Sequence, residues 1–417
     1  MTDQQPAREG HIDDPGKSAR AEAGLPVVPS FDGFRAFAIL GVVFLHVFQT
    51  SGLVTSDHEL ISRLVWGSFG RAVEILFIVS GFVVFLPTVA RGGNFGSIGS
   101  FAVRRGARLL PAYWLILLIS IVLIAAINPV SPVIEGSQIG FPPFRDIAVN
   151  FFGAAVPLGM FIPGIATGFG IDPPVWTLSV ELGFYIVLPL VAVAFFRWPR
   201  IGLLTAALIT IGWTLAFENL GDIANAVHFD PGVKELFRIR VASELQLPVW
   251  AYSFGVGMAG AVAWVRIRER WDRERIGRVA VPLAIGALLV AAATAWHLSS
   301  TLGLTRSSLL FSMVFTTAIA LFMVAISLAP VRMQAPFAAD HVRNLGDISY
   351  GVYLSHIVLI SVLLTEFDLP RNGTLWSLAV WTLVVVPASV LYGYLSARFL
   401  EQPIRRWARK YGRRTAS

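Results

Sequence analysis

The sequence predicts an all-α protein, a polytopic membrane helix bundle of about ten transmembrane helices around a central pore. Three observations predict it. Of the 417 residues, 55% are hydrophobic and only 14% charged, a balance that soluble domains do not show. Apolar stretches long enough to cross the hydrocarbon recur at about 33–51, 72–90, 109–128, 176–196, 200–217, 246–265, 279–297, 308–329, 347–365 and 375–397. With the first span entering from the cytoplasm, only Arg63, Arg71, Arg145, Lys234, Arg238, Arg240, Arg306 and Arg371 of the 33 Lys and Arg fall outside, leaving 25 on the cytoplasmic side. That asymmetry satisfies the positive-inside rule.

Residues 1–30 are polar and rich in Asp, Gly and Pro. They read as a disordered cytoplasmic tail, without the early apolar region of a signal peptide, so the first span is expected to stay in the mature protein. The membrane domain runs from 31 to 400. Before span 3 stands RRGARLL, and DIAVNFFGAAVPLGMFIPGIATGFG at 146–170 has no charge after Asp146. Counting that segment as an eleventh span would invert the downstream chain. Its Gly and Pro punctuation favours short helices or a re-entrant segment on the outer face. Span 4 follows the Pro173–Pro174 break. Between spans 6 and 7 lies RIRERWDRERIGR, and residues 401–417 form a basic cytoplasmic tail. The net charge of +7 therefore needs no nucleic acid; it is an orientation signal that can also touch anionic lipid. No cysteine is present, which excludes disulfides and thiolate chemistry, and no HExxH motif occurs, so no metal is expected.

A charged side chain at the middle of a membrane helix costs about 2.5 to 3.5 kcal/mol on insertion scales, so each one calls for a reason. Span 1, FDGFRAFAILGVVFLHVF, holds Arg35 and His46. Eleven residues are three helical turns to within about 20°, which places both on one face about 16 Å apart. Arg35 can snorkel to headgroups or bind an anion; His46 can bond a neighbouring helix or act as a titratable base. Glu181, in VWTLSVELGFYIVLP, enters span 4 at a depth comparable to His46 and is either half of a structural ion pair or a partner of that histidine. Glu74 is expected to pair with Arg71 one turn earlier. Ser80 and Gly81 read as a small-residue helix contact, since no nucleophile elbow surrounds the serine. His356 reads as a packing or pore-lining residue. Arg104, Arg105 and Arg108 are positive-inside anchors that lie near the level of Arg35, where guanidinium forks suit phosphate.

These residues together resemble the acyltransferase family 3 of integral membrane O-acyltransferases. FDGFRAFAILGVVFLH is similar to the family's LDGLRALA opening with Arg, ten residues, His. VEILFIVSGFV resembles its FFxxSGF element, RRGARLLPAYW its RRxxR entry, VWTLSVELGFYIVLPL its WSLSVE box, and LGDISYGVYLSH and FLEQPIRRW its closing motifs. Leu76 replaces the first Phe of the FF pair, and no Pro follows His356, which weakens only the role of His356.

The resemblance implies transfer of an acyl group, most often acetyl, from cytoplasmic acyl-CoA to a hydroxyl on an extracytoplasmic acceptor. Position by position it implies that His46 and Glu181 are catalytic and that Arg35, Arg104, Arg105 and Arg108 bind the donor. Arg35 is expected to hold the nucleotide end of CoA while His46 meets the thioester at the end of the pantetheine arm. His46 is then the general base with Glu181 orienting it, an acyl-histidine intermediate being the alternative. No SGNH-type esterase domain is recognised, so the membrane domain is expected to act alone or with a separate partner. Envelope glycans or glycolipids are the first expectation for the acceptor, a macrolide or other secondary metabolite the second. A non-catalytic lipid or glycolipid transporter is the rival class; the broken helices in corresponding halves that it calls for are not found.

Overall fold

The computed structural model describes residues 26–55, 59–131, 137–153, 167–228, 232–300 and 305–414. Ten helices are long and apolar enough to cross a membrane, and the protein is a multi-pass membrane protein built as an all-α bundle. They are α1 (Ser30–Thr50), α2 (Ala72–Ala90), α3 (Ile98–Ile127), α4 (Trp176–Arg197), α5 (Pro199–Glu218), α6 (Leu247–Arg270), α7 (Arg273–Leu298), α8 (Arg306–Leu328), α9 (Asp340–Glu366) and α10 (Leu375–Ser396). Each of the ten expected spans is one of these. Among the described residues, pairing between extended segments is confined to a single bridge, Val130 with Gln138.

Two boundaries differ from expectation in ways that bear on the site. α3 begins eleven residues before the expected start of its span, because the Ser97 side chain accepts from the Ser100 N–H and caps the helix there. The basic run 104–108 is therefore helical rather than a loop before the helix. α2 is preceded by a separate helix, Glu59–Phe69, so that the two together make one crossing with a break at Gly70.

α1 is the axis of the bundle. It packs against α2, α9 and α10, with the short helix Val331–Ala338 beside it. Backbones approach closely at glycines: a Cβ on Gly33 would strike the carbonyl of Phe337, and one on Gly346 that of Asp32. The same holds between α2 and α6, where a Cβ on Gly81 would meet the Phe254 carbonyl and one on Gly257 that of Ile78. Small residues permit this approach where no hydrophobic effect drives helices together. Gly81→Ala is accordingly expected to destabilise the protein by roughly 1 to 3 kcal/mol through overpacking against a backbone atom. Lower yield and a lowered detergent unfolding temperature would report it; an unchanged unfolding temperature would show that the α2–α6 contact yields.

The stretch before α4 dips into the bundle. Phe144–Ala148 is helical and Val149–Gly153 is a single π turn. Tyr113 donates its hydroxyl to the Asn150 carbonyl at 2.7 Å, Trp114 donates to the Phe151 carbonyl, and the Asn150 side chain accepts from the Gly168 N–H at 2.8 Å. Tyr113 lies fourteen residues before the end of α3 at Ile127, which is about 21 Å of helix. Residues 149–151 thus sit deep beside α3, and the irregular backbone is buried against protein. The middle of the expected re-entrant segment, 154–166, lies outside the described residues. Pro173–Val175 then makes one 3₁₀ turn, and α4 starts inside the bundle.

At the other end of the chain the basic tail is a helix, Gln402–Arg414, which packs on α3. Glu401, buried at its start, accepts from Arg405 at 2.7 Å and from Ser396 at 3.2 Å.

Candidate active site

On α1 both Asp32 and Phe34 are buried, as are Val42, Val43, Val47 and Phe48, whereas Arg35 and His46 are partly exposed. The two polar positions of one face are thus open in part, as are Leu40 and Phe44, while Phe37 is 49% exposed. The lower end of α1 carries the guanidinium and its upper end the imidazole, about 16 Å apart along the axis.

At the imidazole end, His46 Nδ1 lies 3.0 Å from the Val42 carbonyl and 3.2 Å from Nε2 of His356 on α9. The two rings are 5.1 Å apart at 47°. His356 is fully buried, and its Nδ1 lies 2.5 Å from the Tyr353 carbonyl. Tyr353 in turn donates to the Pro174 carbonyl at 2.8 Å and accepts from the Thr177 hydroxyl at 2.9 Å. The first turn of α4 is thereby fastened one helical turn from His356. Asp172, just before that turn, is 1% exposed, and among the described residues neither carboxylate oxygen has a hydrogen-bond partner. It stands within electrostatic reach of Tyr113 and Tyr353.

At the guanidinium end, Glu181 accepts from Ser80 of α2 at 3.1 Å and from Tyr185, one turn further along α4. The Arg105 guanidinium lies over the Tyr185 ring, 5.3 Å from the centroid. Arg35 feels Arg108, Asp32, Glu181 and Tyr185. Three arginines, from α1 and α3, thus surround a carboxylate and a phenol at one level of the bundle.

Some expectations are met and others corrected. Glu74 pairs with Arg71 at 3.0 Å and also accepts from Thr316 of α8 at 2.8 Å, so it is structural. Gly81 is a helix contact, and Ser80 beside it is a donor to Glu181. Arg105 and Arg108 are partly buried, and Arg104, one turn before Arg108, is exposed. Glu181 is not at the depth of His46. Thr177, in the first turn of α4, is bonded to Tyr353 one turn from His356, and four residues of helix carry Glu181 about 6 Å from there toward the arginines. The neighbour that His46 meets is His356, expected from the sequence as a packing or pore-lining residue. Its sequence signal, like that of Tyr353, is a place in the LGDISYGVYLSH motif, whereas Asp172 gave none beyond its polarity.

Among the described residues no group of three His, Asp or Glu side chains is placed to hold a metal ion. The arrangement offers a base with an open edge at one end of a helix and an anion site at the other.

A family model described as an acyltransferase domain matches residues 28–398. Among curated proteins, the chain is 23% identical over 397 residues to the peptidoglycan O-acetyltransferase OatA of Listeria monocytogenes, which covers 91% of this chain and 56% of the relative. It is 24% identical to Nodulation protein 10 of Rhizobium leguminosarum bv. viciae, over 90% of this chain and 92% of that one. With the exopolysaccharide production protein ExoZ of Rhizobium meliloti it shares 25% identity over 76% of this chain and 88% of the relative. The chain thus spans little more than half the length of the Listeria protein. No solved structure matches it.

Proposed function

The chain belongs to acyltransferase family 3, and on that premise we propose that this membrane acyltransferase moves an acyl group, acetyl first among them, from cytoplasmic acyl-CoA to a hydroxyl of an envelope glycan or glycolipid across the membrane. The observation that carries the reading is the division of α1. An anion site of Arg35, Arg105 and Arg108 suits the phosphates of CoA, and His46 lies within the length of a pantetheine arm from it. Glycan acceptors are supported by the names of the relatives, peptidoglycan O-acetyltransferase and exopolysaccharide production protein.

In the proposed reaction His46 Nε2 takes the proton of the acceptor hydroxyl as its oxygen attacks the thioester carbonyl. The C–O bond forms, the C–S bond breaks, and the imidazolium returns the proton to the departing thiolate, leaving the ester and free CoA. Glu181 takes part by holding Tyr185 and the arginines that face the donor, rather than by touching the acceptor. Its bonds to Ser80 and Tyr185 support that place. Arg104, exposed, is assigned to the entrance on the cytoplasmic surface.

Two measurements test the whole. Mass spectrometry of envelope glycans and lipids with and without the gene should show loss of one acyl ester on a sugar. Purified protein should release CoA from acetyl-CoA when such a glycan is added; acyl-ester loss without any turnover of acetyl-CoA would sink the donor assignment.

The orientation, with both termini cytoplasmic in the inner membrane, is read from the charge asymmetry. The chain has no cysteine of its own, so single cysteines report cleanly. Phe144→Cys, at a position 82% exposed, is expected to react with an impermeant thiol reagent from outside intact cells, and Lys410→Cys only after permeabilisation. The reverse pattern would overturn the topology.

A further inference from the structure

We infer that His356 is a positioning residue for His46, a fixed hydrogen-bond acceptor that holds the proton on His46 Nδ1 and leaves the Nε2 lone pair facing the substrates. The inference rests on the proposed role of His46 as base, but its geometry stands by itself.

The chain of assignment starts from a group whose role is not in question. A backbone carbonyl only accepts, so His356 Nδ1, 2.5 Å from the Tyr353 carbonyl, carries a proton. A neutral imidazole has one N–H, so His356 Nε2 is an acceptor. It stands 3.2 Å from His46 Nδ1, which must then be the donor. The Val42 carbonyl, 3.0 Å from the same nitrogen, can likewise only accept. Both neighbours therefore demand the same tautomer, with one N–H shared between them. Nε2 of His46, a partly exposed residue, is left with its lone pair.

The two acceptors are not equivalent. Val42 is one turn back on α1 itself, and its carbonyl moves with the histidine. His356 comes from α9, 310 residues away in the chain, and is locked by full burial and by Tyr353, whose hydroxyl bonds the first turn of α4. The ring of His46 is thus referenced to the helix that brings Glu181. When the imidazolium forms, the same Nδ1–H bond becomes charge-assisted and stronger, so His356 favours the transition state over the ground state. The second nitrogen of a histidine decides what the first can do.

A structural role alone predicts something different. Were His356 only filling space, an apolar residue of similar volume would serve and the ring of His46 would be indifferent to it.

The test uses the full-length protein in lipid nanodiscs, with acetyl-CoA and an envelope glycan acceptor. The ¹⁵N signals of His46 are assigned by their loss in His46→Ala. In the otherwise unaltered protein they are expected to show the tautomer protonated at Nδ1, and the opposite tautomer would overturn the inference without reference to activity. His356→Leu is expected to lower kcat about 10- to 100-fold, the range seen when partners that orient a functional histidine are lost. Its KM for acetyl-CoA should stay within about twofold, since the anion site is a pore-length away. His356→Gln, whose side-chain oxygen can reach the place of Nε2, should keep kcat within about fivefold, because acceptance by one atom is all the role demands. Wild-type turnover in His356→Leu, or equal losses in the folded Leu and Gln proteins, would also overturn it. If His356→Leu fails to fold, the tautomer of the unaltered protein and the Gln variant still decide. A fully active His46→Ala protein, by contrast, would remove the catalytic reading while leaving the tautomer assignment intact.

Discussion

His46→Ala, in protein shown to be folded and inserted, is expected to lower kcat by about 10² to 10⁴, the range contributed by a positioned general base. Binding of acetyl-CoA should hardly change, because Arg35, proposed to face the phosphates, lies about 16 Å away along α1. The stability cost should also be small for an intramembrane position: the ring is partly exposed, and its removal leaves the Val42 carbonyl in its helical bond and the His356 Nε2 as one unmet acceptor. Steady-state kinetics with titration calorimetry of acetyl-CoA separate these effects. Full turnover by the folded variant would end the mechanism, and loss of donor binding would mean that the chemical and nucleotide sites are not apart.

For Arg35→Ala the expectation is the complement, a KM for acyl-CoA raised about ten- to a hundredfold, as removal of charge-assisted contacts worth about 1.5 to 3 kcal/mol would produce. Here the structure adds a warning about the folded state. Arg35 stands beside Asp32 and Glu181 as well as Arg108, so its loss leaves two acidic groups with less compensation inside the bundle. Arg35→Lys separates the two roles. It keeps the charge that balances the carboxylates but loses the planar fork, so the lysine protein should fold as the parent does and still bind donor several-fold more weakly. If lysine and alanine proteins were alike in KM and both unstable, Arg35 would be a packing residue of the Glu181 cluster.

The features legible in the sequence are those that depend on one helix at a time. Hydropathy and charge asymmetry show ten spans, and helical period puts Arg35 and His46 on one face. The pairs Arg71 with Glu74 and the small contact at Gly81 follow from neighbours within one or two turns, which periodicity constrains. What remained closed is whatever depends on how helices are rotated and where they begin. Arg105 lies over the Tyr185 ring of α4 and Arg108 stands within electrostatic reach of Arg35 on α1, a matter of how α3 packs against both helices. Glu181 lies among arginines because the Pro173–Pro174 break falls deep in the bundle and the first turn of α4 is bonded to Tyr353, one turn from His356. His356 reaches His46 across 310 residues, since α9 packs along α1 at that turn. The apolar pattern of one helix marks which residues are costly to place in a membrane, but the energy that offsets the cost comes from other helices, and only the packed bundle says which ones.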